Sequence, residues 1–140
     1  IPVRLDPLSD AGKAWWVKRF QDLFAAIDAS GACLFSIRSL DPDDYAAMLS
    51  AAVGRPVDAE EFLRSGERIW NLQRIFNLAA GFSKADDTLP ERMLEEPLTC
   101  GAAAGCVWRR EPLLTEYYRE RGWTEDGIPT AEKLRELGIG

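Results

Sequence analysis

Residues 59–80 read AEEFLRSGERIWNLQRIFNLAA, a long stretch in which apolar side chains recur at helical spacing. Leu63 and Trp70 widen the apolar surface beyond a single stripe. A helix that is apolar over more than half of its circumference packs on several sides. We therefore predict that residues 59–80 form the central helix of the core. The apolar positions on its main face are Phe62, Ile69, Leu72, Ile75, Phe76 and Ala79.

A second long helix is predicted upstream, over about residues 12–30. Its apolar face follows three- and four-residue steps, and Gly31 is the residue expected to end it, because glycine adopts the left-handed conformation without a Cβ clash. Ser9 or Asp10 is available as its N-cap. The predicted face comprises Trp15, Trp16, Arg19, Phe20, Leu23, Phe24 and Ile27.

Helix-capping signals place another helix between these two. Asp41 followed by Pro42 is typical of an N-cap and first helical residue, which predicts a helix over residues 42–53. Asp58, with Glu61 three positions later, resembles a capping box at the start of the central helix. The intervening segment 34–37 is short and apolar, and we expect it to be coil that packs inward.

Shorter helices are predicted in the second half of the chain, separated by Gly and Pro turns. The pair Asp86 and Asp87 is expected to be a solvated cap, and residues 98–108 a small-residue loop. No pair of alternating strands is visible in the sequence. The predicted fold is therefore all-α, an irregular bundle of five or six crossed helices forming one domain over residues 1–140. The later helices are expected at about 90–95, 112–122 and 131–137.

Composition excludes several classes of function. An apolar content of 46% can support a core, and a net charge of −6 without a basic cluster argues against nucleic-acid binding. The sequence has neither a membrane-spanning apolar run nor a signal-peptide pattern, so we expect a cytoplasmic protein without a membrane partner. With no histidine, the chain lacks the usual general base and the commonest zinc ligand.

The three cysteines are an odd number and do not suggest a disulfide framework. Cys100 and Cys106 do not have a zinc-site spacing, and structural or incidental roles are expected for them. The chain opens on Ile1 rather than Met, and we interpret it as part of a longer protein whose upstream domains are absent.

The stretch Asp28-Ala29-Ser30-Gly31-Ala32-Cys33 joins an acid and a thiol through the turn predicted after the first helix. One interpretation is structural: Asp28 is a solvated acid and Cys33 a small buried side chain. The other is functional: Asp28 accepts hydrogen bonds from a ligand with two adjacent N–H donors, and Cys33 supplies a thiolate to a metal or cluster. A metal site would need further ligands from outside this chain.

Several ordered motifs resemble the C-terminal domain of the tungsten-dependent aldehyde ferredoxin oxidoreductases, and the resemblance covers essentially all 140 residues. The DASGAC stretch is similar to the Asp-x-x-Gly-Leu-Cys segment of that family, except for Ala32 in place of Leu. The other motifs are RIWNLQRIFN (68–77), GF (81–82), DDTLPER (86–92), EYYRERGW (116–123) and DGIPTAEKL (126–134).

This resemblance implies cofactor-binding roles for Asp28, Gly31, Ala32 and Cys33. It makes Asp28 a pterin ligand and Cys33 the last of four ligands of a 4Fe-4S cluster, the other three coming from a middle domain. The implied cofactors are tungsten, or molybdenum, held by two pterins, and the cluster beside it.

The reaction implied by the resemblance is oxidation of an aldehyde to a carboxylic acid, with electrons passing through the cluster to ferredoxin. No catalytic residue is assigned in this chain, which would be inactive alone and would expose a surface suited to a homodimer or to its upstream domains. The alternative is a cofactor-free helical interaction module derived from the same fold.

Overall fold

The computed structural model describes residues 6 and 8–140, and six α-helices account for most of them. Two short 3₁₀ helices, Leu34–Arg38 and Lys84–Asp86, lie between them. The only bridge in this described part is an isolated antiparallel pair, Trp123 with Pro129. The all-α prediction is confirmed. The α-helices are α1 (Lys13–Ser30), α2 (Pro42–Val53), α3 (Ala59–Ala79), α4 (Glu91–Glu95), α5 (Arg110–Arg121) and α6 (Ala131–Leu137).

Side-chain caps mark the start of three of the six described α-helices, α2, α3 and α6. The Asp41 carboxylate accepts from the backbone N–H groups of Asp43 and Asp44, as predicted for the start of α2. Asp58 accepts from the N–H of Glu61 at the start of α3. The capping box is only half formed there, because the Glu61 carboxylate pairs with Arg55 at 2.8 Å.

The start of α1 differs from the prediction. Its N-cap is Gly12, which makes no side-chain cap, rather than Ser9 or Asp10. The sequence predicts an extended lead-in over residues 1–10, because Pro2 and Pro7 block regular structure. Residues 1–5 and 7 of that segment lie outside the described residues. At the other end, Gly31 closes α1 with φ of 79°, as predicted.

The core lies where α1, α2 and α3 meet. α3 packs against α1, α2 and α6, while α1 also contacts α5, so the prediction of a helix packed on several sides is confirmed. Tyr45 of α2 stacks on Phe62 of α3, with ring centroids 5.7 Å apart and planes 4° from parallel. The core cluster comprises Leu23, Ala26, Ile27, Tyr45, Ala46, Val57, Phe62 and Leu63.

α1 and α3 approach each other closely at Gly66. A Cβ added to this glycine would lie 1.8 Å from the backbone oxygen of Asp22. Real side chains cannot tolerate that separation, so the two backbones come this close only because residue 66 has no side chain.

A buried ion pair joins α5 to α1 beside this crossing. Arg121 Nη1 lies 2.5 Å from Asp22 Oδ1, and the two side chains are 0% and 4% exposed. Arg121 also donates to Gln21 Oε1 at 2.7 Å and to the Tyr117 hydroxyl at 2.9 Å. Lys18 completes the site by pairing with Asp22 Oδ2 at 2.9 Å.

A second polar contact set joins α3 to the C-terminal segments. Asn71 is fully buried and accepts from Trp123 Nε1 at 2.9 Å. Arg74 pairs with Asp87 at 2.7 Å and donates to the Gly127 carbonyl at 2.7 Å. Of the pair expected to form a solvated cap, Asp86 is exposed and forms a capping box with Ser83. Asp87 differs from the prediction, because it is half-buried and neutralises the buried guanidinium of Arg74.

The predicted apolar faces of the two long helices are only partly buried. On α3, Leu72 and Phe76 are 51% and 73% exposed. On α1, the buried positions are Ala14, Asp22, Leu23, Ala26 and Ile27. Trp16, Phe20 and Phe24 instead follow one another along the outer side of α1, with successive ring centroids 6.1 and 5.8 Å apart. We call these three residues the aromatic stripe.

The segment 34–37 also differs from its prediction. It forms part of the Leu34–Arg38 3₁₀ helix rather than coil, and Phe35 is 81% exposed. Ile37 does pack against the core cluster. A 3₁₀ helix has three residues per turn, so Ile37 and Phe35 cannot both face inward.

Replacing Arg121 with Met should lower the free energy of unfolding by about 2–3 kcal/mol, because the buried Asp22 carboxylate loses its charged hydrogen bond to Arg121 and keeps only Lys18 as an ionic partner. Urea denaturation followed by circular dichroism measures this loss. Arg92→Met is the matched control, since Arg92 pairs with Glu96 while 83% exposed, and it should have little effect. Equal losses in the two variants would contradict the prediction.

Gly66→Ala should lower the free energy of unfolding by about 3 kcal/mol, at the upper end of overpacking costs, because its Cβ meets rigid backbone. This outcome opposes the usual gain on replacing a helical glycine with alanine. Arg64→Ala provides the control in the same denaturation experiment, because Arg64 is an exposed residue of α3 two positions before Gly66. A stabilised Gly66→Ala variant would show that α1 and α3 do not cross as described.

Candidate functional site

The last turn of α1 and the three residues after that helix hold all four residues singled out in the DASGAC stretch. Asp28 lies in the last turn of the helix, and its carbonyl accepts from the N–H of Gly31 at 3.2 Å. Ser30 Oγ donates to the Ile27 carbonyl at 2.7 Å and accepts from the N–H of Ala32 at 3.3 Å. These bonds hold the chain as it leaves the helix, so the spacing from Asp28 to Cys33 is set by a defined turn.

Cys33 presents an exposed, free thiol immediately beyond this turn. Its backbone is extended, with φ of −72° and ψ of 124°, and its carbonyl caps the following 3₁₀ helix. The interpretation of Cys33 as a small buried side chain was therefore wrong. Cys100 and Cys106 are also free and exposed.

Asp28 is exposed as well. This position is compatible with both interpretations of Asp28, a solvated acid and a ligand-binding carboxylate. Across residues 6 and 8–140, no side chain donates a hydrogen bond to its carboxylate. The last turn of α1 contains no basic residue that could offset this charge near the carbonyl end of the helix. The carboxylate can therefore accept hydrogen bonds from a molecule outside this chain.

Ala32 lies between these two groups and faces inward. It is half-buried and packs against the core cluster formed by α1, α2 and α3. The turn therefore points one residue into the core and leaves the thiol of its neighbour Cys33 outside.

Sequence reasoning missed Ser36, which contacts Cys33, and Tyr45, which contacts Ser36. Ser36 donates to the Cys33 carbonyl from both its N–H, at 3.0 Å, and its hydroxyl, at 2.5 Å. The Tyr45 hydroxyl lies 2.6 Å from Ser36 Oγ. A serine three residues after an N-cap could have suggested the first contact, but nothing local indicates the second.

The donor set limits what this chain can bind by itself. Among the described residues, no group of three or more His, Cys, Asp or Glu side chains could hold a metal ion. A thiolate from Cys33 could therefore be one ligand of a cluster whose remaining ligands lie elsewhere. This fits the chemistry expected of a single cysteine contribution.

A separate cavity of about 590 Å³ lies between the first half of α1, the second half of α3 and α5. Trp70, Trp108 and Trp123 contribute to its aromatic wall, and neither Asp28 nor Cys33 lines it. At its edge the Tyr118 hydroxyl donates to Asp87. Burial, then the bond to Asp87 and the charge of that carboxylate, raise the pKa of Tyr118, so its hydroxyl stays protonated.

Trp108 is the point at which residues 98–108 reach this cavity. That loop is closed by the N–H of Leu98 donating to the Cys106 carbonyl at 3.1 Å, and by the N–H of Gly105 donating to the Leu98 carbonyl at 2.8 Å.

Within the described part of the chain, no helix is both long enough and apolar enough to span a bilayer.

Comparison with known proteins gives a consistent result. Residues 1–139 match the family model described as "Aldehyde ferredoxin oxidoreductase, domains 2 & 3". The tungsten-containing aldehyde ferredoxin oxidoreductases of Pyrococcus abyssi and Thermococcus kodakarensis are each 50% identical over 141 residues, covering 99% of this chain. This chain spans only 23% of the length of each relative.

Two more distant similarities extend this result. An aliphatic sulfonate oxidoreductase, WOR-like subunit, of Pyrococcus furiosus is 39% identical over 100 residues, covering 65% of this chain and 16% of that protein. The active-site complex BamBC of benzoyl coenzyme A reductase, solved with 1,5-dienoyl-CoA, superposes with a TM-score of 0.76. It is 24% identical and covers 97% of this chain and 20% of that one, so it shows the shared fold alone.

These findings confirm the resemblance found in the sequence motifs. The family model matches residues 1–139, and relatives with 50% sequence identity align over 99% of this chain. The chain therefore belongs to the aldehyde ferredoxin oxidoreductase family and corresponds to its C-terminal region.

Proposed function

We propose that this chain is the C-terminal domain of a tungsten- or molybdenum-dependent oxidoreductase that converts an aldehyde to a carboxylic acid. The observation that carries the proposal is the exposed thiol of Cys33 and the exposed carboxylate of Asp28 at the same end of α1. When bound, the metal with its two pterins and a 4Fe-4S cluster supplies the two-electron oxidation, with water providing the added oxygen and ferredoxin accepting the electrons.

In this proposal Cys33 contributes one thiolate to the cluster. Thiolates are the usual ligands of iron–sulfur clusters, and a ligand must present its sulfur outside its own fold when the other ligands belong to another domain. The exposure of Cys33 and its position beyond a fixed turn support this role. The remaining cluster ligands would come from upstream domains of the same protein.

Asp28 is proposed to hold the pterin. A pterin edge carries a ring N–H and an amino group side by side, and a carboxylate can accept both in a fork geometry. The N–H groups of such a ligand would also offset the negative charge of Asp28 near the carbonyl end of α1, where the helix has no basic residue. Gly31 and Ala32 act through the backbone, since the turn they form sets the separation between the two binding side chains.

The chain contains no residue that we assign to proton transfer with the substrate, and it has no histidine. It is therefore proposed to be inactive on its own and to work only with the upstream domains. The substrate-facing acid and base groups belong to those domains, while this domain binds and orients the cofactors.

Cys33→Ala in the complete parent protein should remove or alter the cluster, because one of four thiolate ligands is lost. Iron content and the electron paramagnetic resonance spectrum of the reduced protein measure this. Cys100→Ala and Cys106→Ala are matched controls, since both thiols are free and exposed but lie outside the α1 turn. Both controls should retain the wild-type iron content and spectrum.

An unchanged cluster in Cys33→Ala would contradict the assignment of Cys33. Wild-type protein prepared without oxygen and found to contain no iron, tungsten or molybdenum would contradict the whole proposal. That result would favour the cofactor-free interaction module instead.

Asp28→Asn should lower the tungsten or molybdenum and pterin content by about 10-fold or more while the protein remains folded, because an amide cannot accept two N–H bonds as an anion does. Elemental analysis and fluorescence of the released, oxidised pterin measure this loss. Asp126→Asn, at another exposed aspartate, is the control and should retain full pterin content. Full pterin content in Asp28→Asn would refute the role of Asp28.

A further inference from the structure

The exposed thiol of Cys33 is held in place through its own backbone rather than through contacts of its side chain. Among residues 6 and 8–140, no group forms a hydrogen bond to its sulfur, whereas its carbonyl oxygen accepts two hydrogen bonds from Ser36. The distance to this oxygen is 3.0 Å from the Ser36 backbone nitrogen and 2.5 Å from Ser36 Oγ. These two bonds fix the peptide unit that follows the thiol-bearing residue.

The direction of the hydrogen bonds can be derived from the chemistry of the groups. A carbonyl oxygen only accepts, so the single hydroxyl proton of Ser36 is used in the bond to Cys33. Ser36 Oγ must then act as the acceptor for the Tyr45 hydroxyl, which lies 2.6 Å away. The chain of bonds therefore runs from the Tyr45 hydroxyl to the Ser36 hydroxyl to the Cys33 carbonyl.

Tyr45 anchors this chain of bonds in the buried core. Its side chain is 2% exposed, and its ring stacks on Phe62, which is 1% exposed. A buried aromatic pair offers few alternative rotamers, so the tyrosine hydroxyl occupies one position relative to α2 and α3. Two sets of contacts therefore connect the backbone of Cys33 to the core. One is the turn after α1, and the other is the pair of hydrogen bonds through the Ser36 and Tyr45 hydroxyls.

We propose that Tyr45 and Ser36 are positioning residues that hold Cys33 in the geometry required of a cluster ligand. The inference rests on the proposed function, because it assumes that Cys33 binds the cluster. A thiolate that must meet an iron atom already fixed by other ligands gains affinity when its backbone is held in place before binding. Outer contacts of this kind also affect the reduction potential of a cluster, because they control ligand orientation and solvent access.

The experiment uses the complete parent protein, loaded with its cofactors, in the variants Tyr45→Phe and Ser36→Ala. Each removes one hydroxyl and leaves Cys33 intact. We expect the rate of iron release to a chelator to rise by about 10-fold, within the range seen when outer contacts of metal ligands are lost. The midpoint potential and reduced-state resonance spectrum of the cluster should shift as well.

Two further variants separate positioning from general stability. Ser65→Ala removes a comparable bond, from Ser65 Oγ to the Phe62 carbonyl at 2.6 Å, without touching the Cys33 turn, and should leave the cluster unchanged. Ser36→Thr keeps a hydroxyl and should restore the wild-type potential and iron release that Ser36→Ala loses.

The outcomes also distinguish this proposal from the one on which it rests. If Cys33→Ala keeps its cluster, the proposed role of Cys33 fails. If Cys33→Ala loses its cluster but Tyr45→Phe and Ser36→Ala behave like wild type, only the positioning role is overturned. Equal changes in potential and iron release in Ser65→Ala would overturn it too, because the effect would then be one of general stability.

Discussion

The arrangement of this domain depends on the buried ion pair between Asp22 and Arg121. Removing both charges from water is costly, and the pair can be tolerated only where the remaining donors and acceptors are also satisfied. Gln21 and Tyr117 contribute to this by accepting one hydrogen bond each, from Nη2 and Nε of Arg121. The guanidinium also lies 5.5 Å from the ring centre of Trp70 on α3. One side chain of α5 thus contacts α1 and α3 together, and Gly66 allows those two helices to meet at this point.

The same interaction determines where the candidate site lies. The pair holds α1 at its middle, while Leu23, Ala26 and Ile27 bury the second half of the helix in the core. Little freedom remains for the last turn, so Asp28 and the Gly31 turn project from a fixed helix end. The stability of the helix crossing and the placement of the two candidate ligand groups are therefore linked through α1.

Helix ends could be predicted from the sequence, because caps such as Asp41 and the glycine at residue 31 act on their immediate neighbours. The buried faces could not, since periodicity identifies apolar positions without identifying what covers them. The burial of Arg121 depends on Asp22, 99 residues away, and no local signal encodes that partner. At the candidate site, motif resemblance predicted roles for Asp28 and Cys33, whereas the contact of Tyr45 with Ser36 arises only once residues 34–38 form a 3₁₀ helix.

The aromatic stripe of α1 lies on the same side of the helix as the exposed carboxylate of Asp28. Phe24 and Asp28 are four residues apart and so lie on neighbouring turns of one side of the helix. In the proposed function, a surface that covered the stripe would pass directly over the Asp28 carboxylate. Excluding water there would strengthen hydrogen bonds from a bound pterin, because such bonds are stronger in a medium of low dielectric constant. In that arrangement the exposed rings of Phe20 and Phe24 and the carboxylate of Asp28 would be buried together under the proposed upstream domains.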